Sequence, residues 1–219
     1  MVFSNLIFLY LFLPVCLVCY FLCQSIRAKN AVLILFSLIF YAWGEPVYLL
    51  LMIASAAVNW GFGLLIERRR KKLFLILALV LDLGCLAVFK YAGFFVNALL
   101  RLSLPVPQIA LPIGISFYTF QALSYTVDVW RGDVPAQRSF AKLLLYISLF
   151  PQLIAGPIVR YSDVAAQIDD RHFDASEAFY GATRFCVGLA KKVLLADAAG
   201  KVASQILDGS LASNTTVAA

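Results

Sequence analysis

One apolar stretch of the chain combines helix-breaking residues with polar side chains. It covers residues 148–161, SLFPQLIAGPIVRY, and most of its side chains are aliphatic or aromatic. Four residues break that pattern: Pro151, Gln152, Gly156 and Pro157. Prolines leave backbone carbonyls without helical partners, which is tolerated at membrane depth only where the backbone is buried in protein or lines a cavity. The pattern predicts a broken or re-entrant helix at a cavity wall, with Arg160 near the mouth; a kink between packed helices is the alternative.

Two single titratable residues are further candidates for chemistry. Asp82 lies in the middle of the apolar stretch 73–89, where a charge is costly unless the carboxyl group is protonated, paired or directed towards a polar interior. A functional role and internal pairing both remain open for it. His172 is the only histidine of the chain and lies among carboxylates in DDRHFD. No nucleophile is placed beside it, so a solvated or interfacial histidine is favoured over a general base.

The cysteines do not follow a metal or disulfide pattern. Cys16, Cys19 and Cys23 share one helical face, but no histidine or carboxylate lies nearby in sequence to complete a metal site. Packing within a span is favoured, and an odd total of five cysteines argues against a disulfide framework. The sequence has no glycine-rich phosphate loop and no zinc-protease or serine-hydrolase motif. We predict neither a metal site nor a bound cofactor.

The composition indicates a polytopic membrane protein. The 219 residues are 63% hydrophobic and 14% charged, whereas soluble domains are about half apolar and about a quarter charged. We predict an all-α fold, with one membrane domain over residues 1–219 that contains about six spans or re-entrant segments. The predicted segments are 1–23, 31–44, 47–66, 73–89, 113–134 and 143–159.

The distribution of charge predicts an orientation. Arg27 and Lys29 follow the first segment, and the run ERRRKK at 67–72 follows the third. Basic residues near span ends mark the cytoplasmic side, so both loops are predicted to be cytoplasmic and the N-terminus periplasmic. Orientation and contact with anionic lipid account for the net charge of +6, and nucleic-acid binding is not predicted.

One predicted span is dotted with polar side chains. Segment 113–134 carries five hydroxyl or amide groups: Ser116, Thr119, Gln121, Ser124 and Thr126. Such groups need partners, so this helix is predicted to face protein or water rather than lipid on every side.

The C-terminal region changes character after Tyr161 and becomes the most charged part of the chain. Asp174 followed by Glu177 has the spacing of a capping box, which predicts a helix that begins at Ala175. This helix, near 175–199, mixes charged and apolar residues and is predicted to lie at the membrane interface.

The sequence resembles the membrane-bound O-acyltransferase family, in particular its bacterial branch of alginate O-acetyltransferase-like proteins. Five stretches in order carry the resemblance: MVFSNLIFLYLFLPV at 1–15, SLIFYAWGEPVYLLLMIASAAVNWGFG at 37–63, LPIGISFYTFQALSYTVDVWRGDV at 111–134, LFPQLIAGPIVRY at 149–161 and GLAKKVLLAD at 188–197. Each stretch is a modest signal, but their order covers nearly the whole chain.

The resemblance implies an enzyme of the bacterial inner membrane. Helices of the family surround a tunnel that joins a cytoplasmic thioester donor, such as acetyl-CoA, to the hydroxyl of an extracytoplasmic polysaccharide such as alginate. A periplasmic acetyltransferase is the expected partner protein, together with membrane lipid. The candidates for the tunnel or its donor side are these residues: Asp82, Gln152, Gly156, Pro157, Arg160, Lys191 and Lys192. For Lys191 and Lys192, orientation in the membrane and contact with lipid are the alternative.

The resemblance also implies that residues essential for catalysis lie outside this sequence. Family members are about twice as long, and their catalytic histidine lies in an apolar helix of the second half. We interpret residues 1–219 as the N-terminal half, without a catalytic residue and inactive alone. A transporter or flippase component is the alternative, because it would also use broken helices and Asp82. A non-catalytic scaffold is the third possibility.

Overall fold

The computed structural model describes residues 3, 5–69, 72–94, 111–153 and 159–207. All regular elements within these ranges are helical and none is a strand, which confirms the predicted all-α class. Packing divides the chain into two units. One consists of Met1 and Tyr10–Arg171, and the other of Val2–Leu9 and His172–Ala219.

Ten α-helices lie within the described residues. In the first unit they are α1 (Leu13–Leu22), α2 (Ile26–Ala42), α3 (Leu49–Arg69), α4 (Lys72–Phe94), α5 (Ile115–Arg131), α6 (Phe140–Ser148), α7 (Phe150–Leu153) and α8 (Tyr161–Asp169). In the second unit they are α9 (Ala175–Lys191) and α10 (Asp197–Leu207). Single π-helical turns, Phe8–Phe12 and Lys192–Ala196, precede α1 and α10.

Two described helices are long and apolar enough to cross a membrane. The 20-residue stretches Leu49–Arg68 of α3 and Lys72–Tyr91 of α4 have mean hydropathies of 2.0 and 2.4. Large apolar side chains on both helices are exposed, among them Leu50 and Val80. By length and composition these helices fit the third and fourth predicted spans. The number of spans and their orientation stay predictions.

Two other helices differ from the sequence prediction. α2 begins at Ile26, five residues before the predicted segment, because the Ser25 hydroxyl caps it and accepts the N–H of Ala28 at 3.2 Å. α8 lies where no element was predicted. It buries Tyr161 and Ile168, two turns apart on one face, and Asp163 in its first turn complements the positive end of the helix dipole.

The proline-rich segment is interrupted at Leu149, between α6 and α7. Pro151 has no N–H to donate to the carbonyl of Ile147, so α6 cannot continue through it. The N–H of Phe150 turns instead to the hydroxyl of Ser37 on α2 at 3.2 Å. The Leu149 carbonyl accepts the next two N–H groups, at 2.9 and 3.2 Å, and starts α7. The interruption agrees with the break that the proline predicts.

Helix α5 lies at the centre of the first unit, where it packs against both α3 and α4. Its approach to α3 is close at Gly63, where a Cβ atom would lie 2.7 Å from the hydroxyl oxygen of Tyr125. Tyr125 is fully buried, and its hydroxyl accepts the N–H of Gln137 at 2.9 Å. The absence of a side chain at position 63 therefore sets the distance between the two helices.

The second unit begins with the capped helix that the sequence predicts. The Asp174 carboxylate accepts the N–H and the hydroxyl of Ser176, both at 2.7 Å, and α9 begins at Ala175. One side of α9 carries Glu177, Arg184 and Lys191 at seven-residue spacing. The interfacial location of this helix stays a prediction.

We predict that Gly63→Ala destabilises the protein by about 1–3 kcal/mol, because the new methyl group displaces the Tyr125 hydroxyl from a packed interior. Gly61→Ala is the matched control, since nothing lies within 4 Å of its Cβ position. The control is expected to be neutral or to gain up to about 1 kcal/mol from helix propensity. Thermal unfolding of the detergent-solubilised chain measures both, and equal effects would contradict the proposed close approach.

We predict a pH-dependent cap on α9. The hydrogen bonds from Ser176 lower the pKa of Asp174 below its ordinary value. A lowered carboxyl pKa adds stability that is present at neutral pH and is lost as the pH falls through that pKa. Amide hydrogen exchange in the first turn of α9 should therefore accelerate under acid relative to Asp174→Asn, which keeps a capping oxygen but does not titrate. Identical acid responses of the two proteins would contradict this assignment.

Candidate functional site

The predicted wall residue Gln152 reaches an amide partner in the interior of the first unit. Gln121 on α5 donates its two side-chain N–H bonds to the carbonyl oxygen of Tyr146 at 2.9 Å and to Oε1 of Gln152 at 2.7 Å. Gln121 is 3% exposed and Tyr146 is 1% exposed, so these bonds are shielded from water. Low local dielectric strengthens such bonds and makes their loss more costly.

The interruption at Leu149 explains why the Tyr146 carbonyl needs this donor. In a continuous helix that carbonyl would accept the N–H of Phe150, which here binds Ser37 instead. Gln121 replaces the missing donor. The Gln121 amide on α5 therefore supplies the hydrogen bond that the broken backbone of α6 lacks at Tyr146.

Tyr146 also binds the chain beyond the proline-rich stretch. Its hydroxyl donates to the carbonyl of Val159 at 2.8 Å and lies 3.4 Å from the Ser124 hydroxyl. The amide and tyrosine cluster of Gln121, Tyr146 and Gln152 thus holds residues on both sides of 154–158. The candidates Gly156 and Pro157 belong to that stretch and lie outside the described residues.

A small, partly open cavity of about 80 Å³ lies beside the cluster. Its polar lining comes from four side chains: Tyr146, Gln152, Gln167 and Arg171. The other lining residues are aliphatic and belong to α2, α8 and the end of α6. This cavity is therefore an apolar pocket with a few polar groups, which is the usual composition of a small-ligand site.

Arg171 was not recognised from the sequence, where it stands in a charged run typical of solvent-exposed loops. In the structure its guanidinium donates to the side-chain oxygen of Asn30 and lies 5.6 Å from the ring centroid of Tyr20. Asn30 in turn donates to the carbonyl of Ile168 at 2.9 Å, which fixes the end of α8. Asn30 was the feature of the sequence that could have indicated this contact, because an amide within the apolar helix α2 requires hydrogen-bond partners.

Asp82 forms a second buried cluster, which joins α3, α4 and α5. Its carboxylate accepts the amide of Asn59 at 2.8 Å and the hydroxyl of Ser55 at 3.5 Å. Thr126 on α5 donates to the other end of the Asn59 amide at 2.8 Å. Of the two roles left open by the sequence, the structure supports internal pairing.

The remaining predicted residues of the described ranges are exposed in their own units. Arg160 is exposed at the start of α8 and does not line the cavity. Lys191 and Lys192 are exposed in the second unit, where Lys192 pairs with Asp197 at 2.8 Å. His172 is also exposed. The predicted roles of Arg160, Lys191 and Lys192 at a tunnel or donor site stay untested.

The described residues contain no group of three or more histidine, cysteine or acidic side chains that would hold a metal ion. Cys16 is buried, and Cys19 and Cys23 are half-buried. All three are free thiols.

Comparison with known proteins identifies several relatives. The chain is 41% identical over 209 residues to the "probable alginate O-acetylase AlgI" of Pseudomonas aeruginosa, with 90% of the chain and 40% of the relative covered. The protein of the same name from Azotobacter vinelandii is 39% identical over 215 residues, with 93% and 43% covered. The "peptidoglycan O-acetyltransferase" of Helicobacter pylori is 32% identical over 236 residues, with 90% and 45% covered.

The chain is thus similar to bacterial proteins named as alginate O-acetylases and as a peptidoglycan O-acetyltransferase. The resemblance to the alginate O-acetyltransferase-like branch is thereby confirmed. The chain spans about two fifths of the length of the curated relatives it matches. No family model matches it, and no solved structure gives a significant match.

The described cluster of this acyltransferase homologue is suited to binding and positioning. Gln121 and Gln152 supply amides, and Tyr146 supplies a hydroxyl that already donates to Val159. None of these groups is a base or nucleophile at neutral pH. Burial also raises the pKa of nearby Tyr161, so its hydroxyl is neutral there as well. The cluster therefore organises a cavity rather than transferring protons.

We predict that Gln121→Leu destabilises the protein by about 1–3 kcal/mol, because two acceptors lose their donor. Gln152→Leu removes only one of the two bonds. A double-mutant cycle between them should give a coupling energy of at least about 0.5 kcal/mol. Gln24→Leu, at an exposed position, is the control for added hydrophobicity. Strict additivity of the two mutations in thermal unfolding would contradict the paired amide geometry.

Proposed function

We propose that this chain forms part of an O-acetyltransferase of the bacterial inner membrane. In the whole protein, an acyl group would move from a cytoplasmic thioester, such as acetyl-CoA, to a hydroxyl of an extracytoplasmic polysaccharide. The observation that carries the proposal is the 41% identity to an alginate O-acetylase over 90% of the chain. Alginate is the acceptor that most of the relatives suggest, and the Helicobacter pylori relative favours peptidoglycan as a second candidate.

The structure supports a role for the first unit as a wall of the transfer path. α3 and α4 are long and apolar enough to anchor this unit in a membrane. The backbone interruption at Leu149, which the amide and tyrosine cluster bridges, is a non-helical feature of the kind that membranes tolerate next to a cavity or within protein. In this proposal Gln152 belongs to the tunnel wall, Arg160 lies near its mouth, and the N-terminus is periplasmic.

The donor side and the partner protein are also proposed from the family resemblance. Lys191 and Lys192 are exposed cations that would attract an anionic thioester donor from the cytoplasm. A periplasmic acetyltransferase would complete delivery to the polysaccharide. The catalytic histidine would be supplied from outside these residues, because the family resemblance implies a histidine in an apolar helix, whereas the only histidine here, His172, stands among carboxylates.

A transporter or flippase component is less well supported than the transferase. That alternative depends on Asp82 as an ion-coupling or substrate-binding charge in the membrane. Its carboxylate is instead occupied by Asn59 and Ser55, in a cluster that also contains Thr126. Two hydrogen-bond donors from α3, one of them held in turn by α5, are what a structural carboxylate on α4 requires.

A chimera tests the proposed transferase function. The aligned segment of the Pseudomonas aeruginosa alginate O-acetylase would be replaced by this chain and expressed in a strain that lacks the native acetylase. We predict that the chimera restores O-acetyl groups on alginate, measured by NMR of the purified polymer. The 219-residue chain expressed alone is predicted to restore none.

The control chimera carries the corresponding segment of the Azotobacter vinelandii relative, which tests whether the junctions are tolerated. If that control restores acetylation and the chimera with this chain reaches the membrane without doing so, the alginate proposal is wrong. A matching exchange into the Helicobacter pylori enzyme then decides for or against peptidoglycan. Failure in both hosts would favour transport or a scaffold role.

A further inference from the structure

We propose that the cavity beside Gln152 is a binding pocket for a short-chain acyl oxygen, such as that of an acetate ion or an acetyl carbonyl, with Arg171 as its anchor. The inference rests on the proposed acetyltransferase function for the source of the ligand. The pocket itself follows from the hydrogen-bonding groups and the lining of the cavity.

The first observation is the fixed direction of the Gln152 amide. Gln121 must direct its amino group towards the carbonyl of Tyr146, because that carbonyl can only accept. The same amino group meets Gln152, so Gln152 must present its oxygen there, at 2.7 Å. The amino group of Gln152 is therefore turned away from Gln121, and it donates no hydrogen bond to the described part of the chain.

The second observation is an unused donor on Arg171. One terminal amino group binds Asn30, but the Nε–H is buried and has no partner among the described residues. Asn30 is neutral, so this contact supplies no counter-charge to the guanidinium. A buried donor of this kind is costly to leave unpaired, and an acceptor from the adjoining cavity reaches it once the surrounding side chains shift.

Both unused donors belong to residues that line the same cavity, whose remaining wall is largely aliphatic. A ligand that satisfies this lining has an acceptor oxygen at one end and a short apolar group at the other. The volume of about 80 Å³ fits a few non-hydrogen atoms, since one water molecule takes about 10–15 Å³ on this scale. Acetate and an acetyl group match the size, the acceptor and the apolar tail.

Arg171 is held in place by residues that the ligand does not need to touch. Asn30 binds the guanidinium and, through Ile168, the end of α8, while the ring of Tyr20 lies 5.6 Å from the guanidinium carbon. Asn30 is thus a positioning residue. Preorganisation of this kind reduces the entropy lost when a ligand binds.

Binding of sodium acetate to the purified chain in detergent tests the pocket, with saturation-transfer NMR at constant ionic strength. We expect a dissociation constant on the order of a millimolar, given the few atoms of the ligand. Arg171→Gln should weaken binding at least about tenfold, because it removes a charge-assisted donor. Arg131→Gln, an exposed arginine outside the cavity lining, is the control and should leave binding unchanged.

A second variant tests the cavity without changing its charge. Val164→Phe adds a large group to the lining and should abolish acetate binding while Arg171 stays intact. If both variants bind acetate as the wild type does, or if the wild type does not bind it, the pocket holds only water and the proposal is wrong. Equal competition by inorganic phosphate would also overturn it, because the aliphatic wall predicts preference for a carbon chain.

Competition identifies the source of the ligand. Displacement of acetate by acetyl-CoA but not by CoA would assign the pocket to the acyl group of the donor, whereas no displacement by either would assign it to free acetate. The outcome is separable from that of the chimera. Acetate binding with inactive chimeras in both hosts would support the pocket and contradict the transferase proposal, and an active chimera without acetate binding would do the reverse.

Discussion

The missing N–H of Pro151 determines the interior of the first unit. It ends α6 and leaves the Tyr146 carbonyl without a helical donor, since the N–H of Phe150 turns to Ser37. The amide of Gln121 fills that position and at the same time binds Gln152. A single backbone interruption therefore requires a hydroxyl on α2 and an amide on α5, because buried polar groups must be paired.

Helix α5 is the element on which several such requirements converge. Gln121 donates to the Tyr146 carbonyl at the end of α6, and Thr126 donates to Asn59 in the cluster around Asp82. The hydroxyl of Tyr125 accepts the N–H of Gln137, in the loop before α6. Three of the polar residues of segment 113–134 are consequently not a sign of exposure to water. Gln121, Ser124 and Thr126 are partners of groups on neighbouring helices, and Gly63 allows α3 to approach α5 closely enough for this arrangement.

Residue types and their spacing predicted the ends of helices and the long apolar helices, because these features depend on residues that are close in sequence. Pro151 predicted the helix interruption, Asp174 predicted the start of α9, and the length of the apolar runs predicted α3 and α4. The pairing of Gln152 with Gln121, and of Arg171 with Asn30, joins residues 31 and 141 positions apart in sequence. No periodicity encodes such contacts, because tertiary packing selects one partner among many candidate amides.

Asp82 and Arg171 illustrate two different outcomes of charge burial. Asp82 meets an amide and a hydroxyl inside a helical interface, so its hydrogen-bonding capacity is used within the protein and the residue supports packing. Arg171 meets a neutral acceptor and an aromatic ring, and keeps a buried Nε–H that points to no described partner. A cation that is restrained but incompletely paired, beside an apolar cavity, has the properties of a ligand anchor rather than of a structural charge. The difference between the two residues lies in their unsatisfied hydrogen-bonding capacity, and their positions in the sequence do not reveal it.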